Sequence, residues 1–233
     1  MRPLKWLVGL LLIPACVSVT RSLAGLLDAL SGGTLHGISM SIWGLILGCL
    51  LWLFIYLVMP RPVRTYVLAH ELTHALWGWA MGAKISGIKV SKRGGHVKLN
   101  RTNFLITLAP YFFPFYTVLV ILLHLGLSFF YDMRRYEPVW LGWVGLTWAF
   151  HFTFTLSTLR TRQPDIQEHG KLFSYTVIYL FNVLGICLWI VAISDTTWNA
   201  WSIELWTMVG GTYEGIWDRL VYHADTLYQR HLL

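Results

Sequence analysis

The sequence predicts an all-α polytopic membrane protein of about five to six transmembrane helices, with a small β-hairpin after a histidine-bearing helix and an amphipathic helix at the C-terminus. Three observations predict it. Of the 233 residues 56% are hydrophobic, 12% are charged and 13 are tryptophan, which leaves too little polar surface for a soluble globule. Apolar runs of membrane-spanning length recur along the chain, separated by short polar loops. Strict alternation of apolar and polar residues, the signature of a strand, occurs in one place, between Lys84 and Arg101. The formal charge of +7 reflects a shortage of acids, 11 against 18 bases. The bases gather in short loops with no run interleaved with exposed aromatics, which suits membrane topology and excludes nucleic acid as a partner. Cys16, Cys49 and Cys187 lie in apolar segments without CxxC spacing and read as small core residues.

Met1 to Thr20 starts with Arg2 and Lys5 and continues apolar, as a first spanning helix or a signal peptide does. Arg21 to Gly37 is less apolar and reads as a short interfacial helix closed by Gly32 and Gly33. Ile38 to Met59 is a spanning helix, ended by the stiff sequence PRPVR. The next helix, about Val63 to Met81, carries Gly78 and Gly82 in a small-xxx-small pair that would admit a second helix closely. The alternation in ISGIKV and HVKLN around Lys92, Arg93, Gly94 and Gly95 then predicts the hairpin, with His96 as a surface histidine. Phe104 to Phe130 is apolar, kinked by Pro110 and Pro114, with His124 as a core histidine. Val139 to Leu159 and Leu172 to Ile193 span again, on either side of RTRQPDIQEHGK. After Asp195, apolar residues from Tyr213 to Tyr228 recur at helical spacing, which makes an amphipathic helix fit to lie on lipid or on a partner chain. The expected organisation is a membrane domain over residues 1–195, with its core in 63–193, and an aromatic tail over 196–233.

The chemistry concentrates in YVLAHELTHALWGWAM, Tyr66 to Met81. Residues four apart share a helix face, so His70 and His74 can offer two imidazole nitrogens to one zinc ion. Glu71, one step from His70, is placed to accept a proton from water without itself being a ligand, which is the mechanics of the HExxH pattern. At 1.5 Å per residue His70 lies about 10 Å from the start of that helix and about 16 Å from its end, at membrane depth. Two histidines and a glutamate there are costly unless they have partners.

A catalytic zinc takes three protein ligands and keeps a fourth position open, so HELTH must be completed from elsewhere in the chain. Asp165, after Pro164 at the edge of a spanning segment, is the expected third ligand. The alternatives are His151, His169 and Glu214, the last in an ExxxD spacing with Asp218 that resembles the third-ligand helix of membrane-bound zinc endoproteases facing the aqueous phase. Asp165 and Glu168 could instead decorate the N-terminus of the following helix.

Together HELTHALWGWAMGA, KISGIKVSKRGGHVKLN, LAPYFFPFY and TRQPDIQEHG resemble the site-2 protease family of intramembrane zinc metalloproteases, in particular its small bacterial members. The resemblance covers roughly Val63 to Val183, and HELTH is its specific part. It implies that His70, His74 and Asp165 hold zinc, that Glu71 is the general base, and that the hairpin offers an edge strand to an unwound transmembrane segment of a membrane protein substrate. It also implies a multi-pass protein of a bacterial inner membrane. The sequence departs from the family where an asparagine and prolines usually lead into LDG: QPDIQEHG lacks the leucine before Asp165 and the glycine after it. A second class fits the same residues, a non-proteolytic zinc-binding membrane scaffold or assembly factor, and Glu71 discriminates, because a structural zinc site has no use for a general base.

Overall fold

The computed structural model describes residues 2–31, 40–91, 94–194 and 196–231. In chain order the helices are α1 (Arg2–Ser31), α2 (Met40–Val58), α3 (Val63–Ala80), α4 (Phe104–Leu108), α5 (Phe115–Ser128), α6 (Glu137–Leu159), α7 (Pro164–His169), α8 (Lys171–Ile193) and α9 (Trp198–His231). The strands β1 (Ile85–Ser91) and β2 (Gly94–Leu99) form an antiparallel hairpin between α3 and α4, as the alternation predicts. The expected break at Gly32 and Gly33 and the turn residues Lys92 and Arg93 lie outside the described residues. The chain packs as two compact units, Leu35–His169 and Met1–Thr34 with Gly170–Leu233.

In the second of these units α1 runs unbroken through Pro14 and Arg21, where the sequence predicts a span followed by a separate interfacial helix. The physical reason is that polar residues taken for a boundary are satisfied inside. Ser22 Oγ accepts from Trp201 Nε1 at 2.9 Å, and Ser18 Oγ donates to Thr212 Oγ1 at 2.9 Å, both on α9. Around them Val19, Leu26, Val183, Cys187, Ile190 and Trp201 form an apolar core. Beyond Tyr213, whose hydroxyl donates to Leu11 O at 2.5 Å, Ile216, Trp217, Leu220 and Tyr222 on α9 are exposed.

Among the described residues two helical segments, Pro3–Ala29 and Lys171–Ala192, are long and apolar enough to cross a membrane, and α4 with α5 adds a third if that pair, bent by 82°, counts as one span. That is fewer than five to six. The apolar stretch Ile42–Val58 of α2 is shorter. In α3 and α6 the hydropathy is lowered by interior polar residues, His70, Glu71, Thr73 and His74 on one and His151 and Thr155 on the other.

The unit that holds the histidine helix is built on backbone contact between α2 and α6. A Cβ on Gly44, Gly48 or Gly145 would collide with the carbonyl of Pro138, Gly142 or Leu45 respectively, so these glycines set the distance between the two helices. Trp52, Tyr66, Phe150 and Phe154 then fill the space among α2, α3 and α6, with Tyr66 stacked on Phe154 at 4.8 Å. Gly78 and Gly82, expected to receive a helix, serve the hairpin instead. Leu99 of β2 sits 3.0 Å from where a Gly78 Cβ would be, and Gly82 takes a positive φ of 73° as the chain turns out of α3.

We predict that Gly48→Leu destabilises the protein by about 1–3 kcal/mol through this contact, seen as a lowered melting temperature in detergent. Gly126→Ala on α5, where a Cβ meets nothing within 4 Å, should leave the melt unchanged or slightly raised. Equal melts for the two variants would contradict the packing described.

Candidate metal site

Helix α3 starts after Pro62, which serves as its N-cap residue, and presents His70 and His74 one turn apart on one face. Their Nε2 atoms face each other at 3.2 Å, with the rings at 82°. Asp165, in the first turn of α7, sets Oδ2 3.4 Å from His70 Nε2 and 3.6 Å from His74 Nε2. The three ligand atoms therefore make a nearly equilateral triangle. A tetrahedron built on ligand bonds of about 2.0–2.1 Å has edges of about 3.3 Å, so the triangle fits three vertices of a metal site without rearrangement. His70, His74 and Asp165 are accordingly a group that could hold a metal ion. The donor set, two imidazoles and one carboxylate, suits a borderline divalent cation.

The surroundings orient these donors. His74 Nδ1 lies 2.8 Å from Ile106 O. A carbonyl only accepts, so Nδ1 carries the proton and the Nε2 lone pair is left for a metal. Ile106 O is free for this because its helical donor would be the amide of residue 110, which is Pro110 and has none. The short α4 is started by Asn103, whose Oδ1 accepts from Ile106 N at 3.0 Å, and it gives way at Ala109–Tyr111 to a 3₁₀ turn. That turn drives Tyr111 into the interior, fully buried, where its hydroxyl donates to Asp165 Oδ2 at 2.9 Å and its ring meets the His70 ring edge to face at 5.3 Å. Burial pushes the Asp165 carboxyl up, but the two imidazoles against it outweigh burial and hold it well below the usual carboxylate range. Asp165 is an anion at neutral pH.

Glu71 is buried at 5% exposure and is not one of the three triangle residues. It lines the same crevice as they do, a cavity of about 710 Å³ whose walls include Thr107, Thr158 and Gln163 and the hairpin residues Gly95 and Val97. The hairpin closes on the glutamate at Gly95: a Cβ there would come within 2.6 Å of Glu71 Cγ and 2.7 Å of Oε1. No family model, curated protein or solved structure matches this chain.

Of the other residues considered as third ligand, His169 is buried at the end of α7, and His151 is buried on α6. Glu214 lies exposed on α9, and the group found among the described residues does not include it. His96 is exposed on β2, and His124 is stacked on Trp140 at 4.1 Å. Sequence reasoning missed Tyr111 and the Ile106 carbonyl. The available signal was Pro110, four residues after Ile106 and next to Tyr111, read there only as a kink.

Pro110→Ala would return an N–H to compete for Ile106 O. We predict that it weakens binding of divalent metal by about 10–100-fold, measured by competition with a chromophoric chelator, as loss of a group that orients a ligand typically does. Unchanged affinity would show that this carbonyl does not set the orientation of His74.

Proposed function

We propose that this chain is an intramembrane zinc metalloprotease of the site-2 protease type, hydrolysing a peptide bond in or near a transmembrane segment of a membrane protein substrate. The observation that carries the reading is the triangle of His70 Nε2, His74 Nε2 and Asp165 Oδ2 with Glu71 buried in the same crevice. Three ligands leave a tetrahedral ion one open position, and a neighbouring carboxylate that is not a ligand is what hydrolysis requires and a structural site does not. Zinc held by the three residues would supply a Lewis acid that polarises the scissile carbonyl and makes water a nucleophile near neutral pH.

The chain's own residues do the rest. Glu71 accepts the proton of the attacking water and returns it to the leaving amine as the C–N bond breaks. The hydroxyl and amide side chains of the crevice give water a path to a depth where the surroundings are apolar. The hairpin offers backbone N–H and C=O groups to a locally unwound substrate segment, a strand-addition mode that holds the chain without demanding its sequence. Exposed Leu47, Phe54 and Leu57 on α2 support lipid contact for that helix as well, in keeping with the multi-pass membrane protein proposed. The exposed apolar face of α9, Tyr213 to Tyr228, is proposed to rest on lipid or on a partner chain.

The test uses purified protein loaded with zinc and a set of single-span membrane reporters, with fragments identified by mass. Wild type should cut within or beside the apolar segment. Glu71→Gln should bind zinc with unchanged stoichiometry and produce no fragments, because the proton acceptor is lost and the ligands are not. Cleavage that survives this substitution sinks the protease reading, and zinc binding by wild type with no cleavage of any reporter transfers the protein to the scaffold class. Gly95→Ala should lower turnover by about 100-fold by displacing Glu71, with zinc affinity unchanged. A turnover equal to wild type would mean that the hairpin does not hold the base.

A further inference from the structure

The two ligand histidines are not supported alike. His74 Nδ1 has the Ile106 carbonyl, whereas His70 Nδ1 is buried and has no hydrogen-bond partner among the described residues. A second orphan belongs to a residue the mechanism does not use. His151 on α6 is 7% exposed, and its Nε2 is also buried without a partner among the described residues. Two buried ring nitrogens without partners in one small region are unusual, because interiors satisfy such groups directly or through ordered water.

Both histidines line the same cavity, enclosed by Ala69, Pro110, Phe113 and Phe150. The space it leaves for the centre of a water-sized sphere is about 10 Å³. A single water needs about 10–15 Å³ of such space and two or more polar partners. Thr73 and Thr147 line the cavity too, and each spends its own hydroxyl proton on its helix, Thr73 on Ala69 O at 2.7 Å and Thr147 on Trp143 O at 2.8 Å. Their oxygens keep lone pairs to accept from a third molecule.

We propose that His151 is a positioning residue for the metal site, acting through one buried water that accepts from His70 Nδ1–H and donates to His151 Nε2. The water fixes His70 in the Nδ1–H tautomer, which leaves the Nε2 lone pair directed at the point shared with His74 and Asp165. His70 then has from α6 what His74 has from Ile106. This inference rests on the metal-site reading of the triangle.

The test measures zinc affinity of the full chain in detergent by chelator competition, together with melting temperature. His151→Leu should weaken zinc binding by about 10–100-fold and speed zinc loss to excess chelator. His151→Gln, whose amide reaches about as far as the imidazole Nε2, should recover most of that affinity, and His151→Asn, too short to reach, should not. Wild-type affinity in the leucine variant overturns the proposal. So does an equal loss in the Leu, Asn and Gln variants with lowered melting temperatures, which is the result of packing alone. Should the leucine variant not fold, asparagine binding zinc as tightly as glutamine overturns it as well. If instead wild type binds no zinc, or binds it no better than His74→Ala and Asp165→Ala, the metal-site reading itself fails, a result distinct from failure at His151.

Discussion

A missing amide hydrogen at Pro110 is the constraint on which the site depends. It removes the donor that Ile106 O would otherwise use, and that carbonyl turns to His74 Nδ1. The same proline shapes the turn of Ala109–Tyr111, so the chain bends sharply between α4 and α5 instead of continuing as one helix. The bend buries Tyr111 completely and puts its hydroxyl on Asp165. One residue thus releases the acceptor that orients His74 and positions the donor that holds Asp165. A broken helix is tolerated when side chains take up the freed backbone groups, and here the side chain that does so is His74, one of the three that could hold a metal ion.

The remaining elements keep α3 in place against that bend. The glycine contacts between α2 and α6 bring two helices to backbone distance, and the aromatic cluster of Trp52, Tyr66, Phe150 and Phe154 fills the angle between them and the first turns of α3. Trp52 is itself tied to α6 through Nε1 and Thr153 Oγ1 at 2.9 Å. At the other end of α3, Gly82 turns the chain with a positive φ, Arg101 Nη2 donates to Met81 O at 2.6 Å, and the hairpin folds back so that Leu99 meets Gly78 and Gly95 meets Glu71. The glutamate is therefore fixed by a strand and the histidines by helices. A segment bound along the hairpin edge would lie beside the residue proposed to move the proton.

The parts legible in the sequence were those whose chemistry has a period. His70, Glu71 and His74 announce themselves because a four-residue spacing of ligand types on an apolar helix has few other uses, and the hairpin follows from alternation in ISGIKV and HVKLN. Asp165 was reachable through the third ligand that a metal-site reading requires, since acids near the expected spans are few. Backbone acceptors have no residue type, so Ile106 O could be inferred only from the proline four positions on. Polar residues misled in both directions. Arg21 and Ser22 read as the end of a span, although Ser22 is tied to Trp201 within α1 packing, and the histidines and threonines of α3 and α6 lower a hydropathy that the surrounding residues suggested was sufficient to span. Gly44 and Gly48 carried the helix contact that Gly78 and Gly82 were expected to make; the spacing is the same, and only the partner surface distinguishes the pairs.

Charge gives an independent reason for a cation between His70, His74 and Asp165. The Ile106 carbonyl takes up His74 Nδ1 and turns Nε2 inward, and Asp165 is ionised. His70 Nε2, His74 Nε2 and Asp165 Oδ2 lie within 3.6 Å of one another, an arrangement that positive charge among them stabilises. A proton can serve for one pair, but it leaves the third donor directed at the same point. A dication held by all three would serve them at once, with the carboxylate offsetting half of its charge. Glu71 lines the same crevice and is the residue proposed to accept a proton from water. The group that could hold an ion and the acid proposed to use it thus share one crevice.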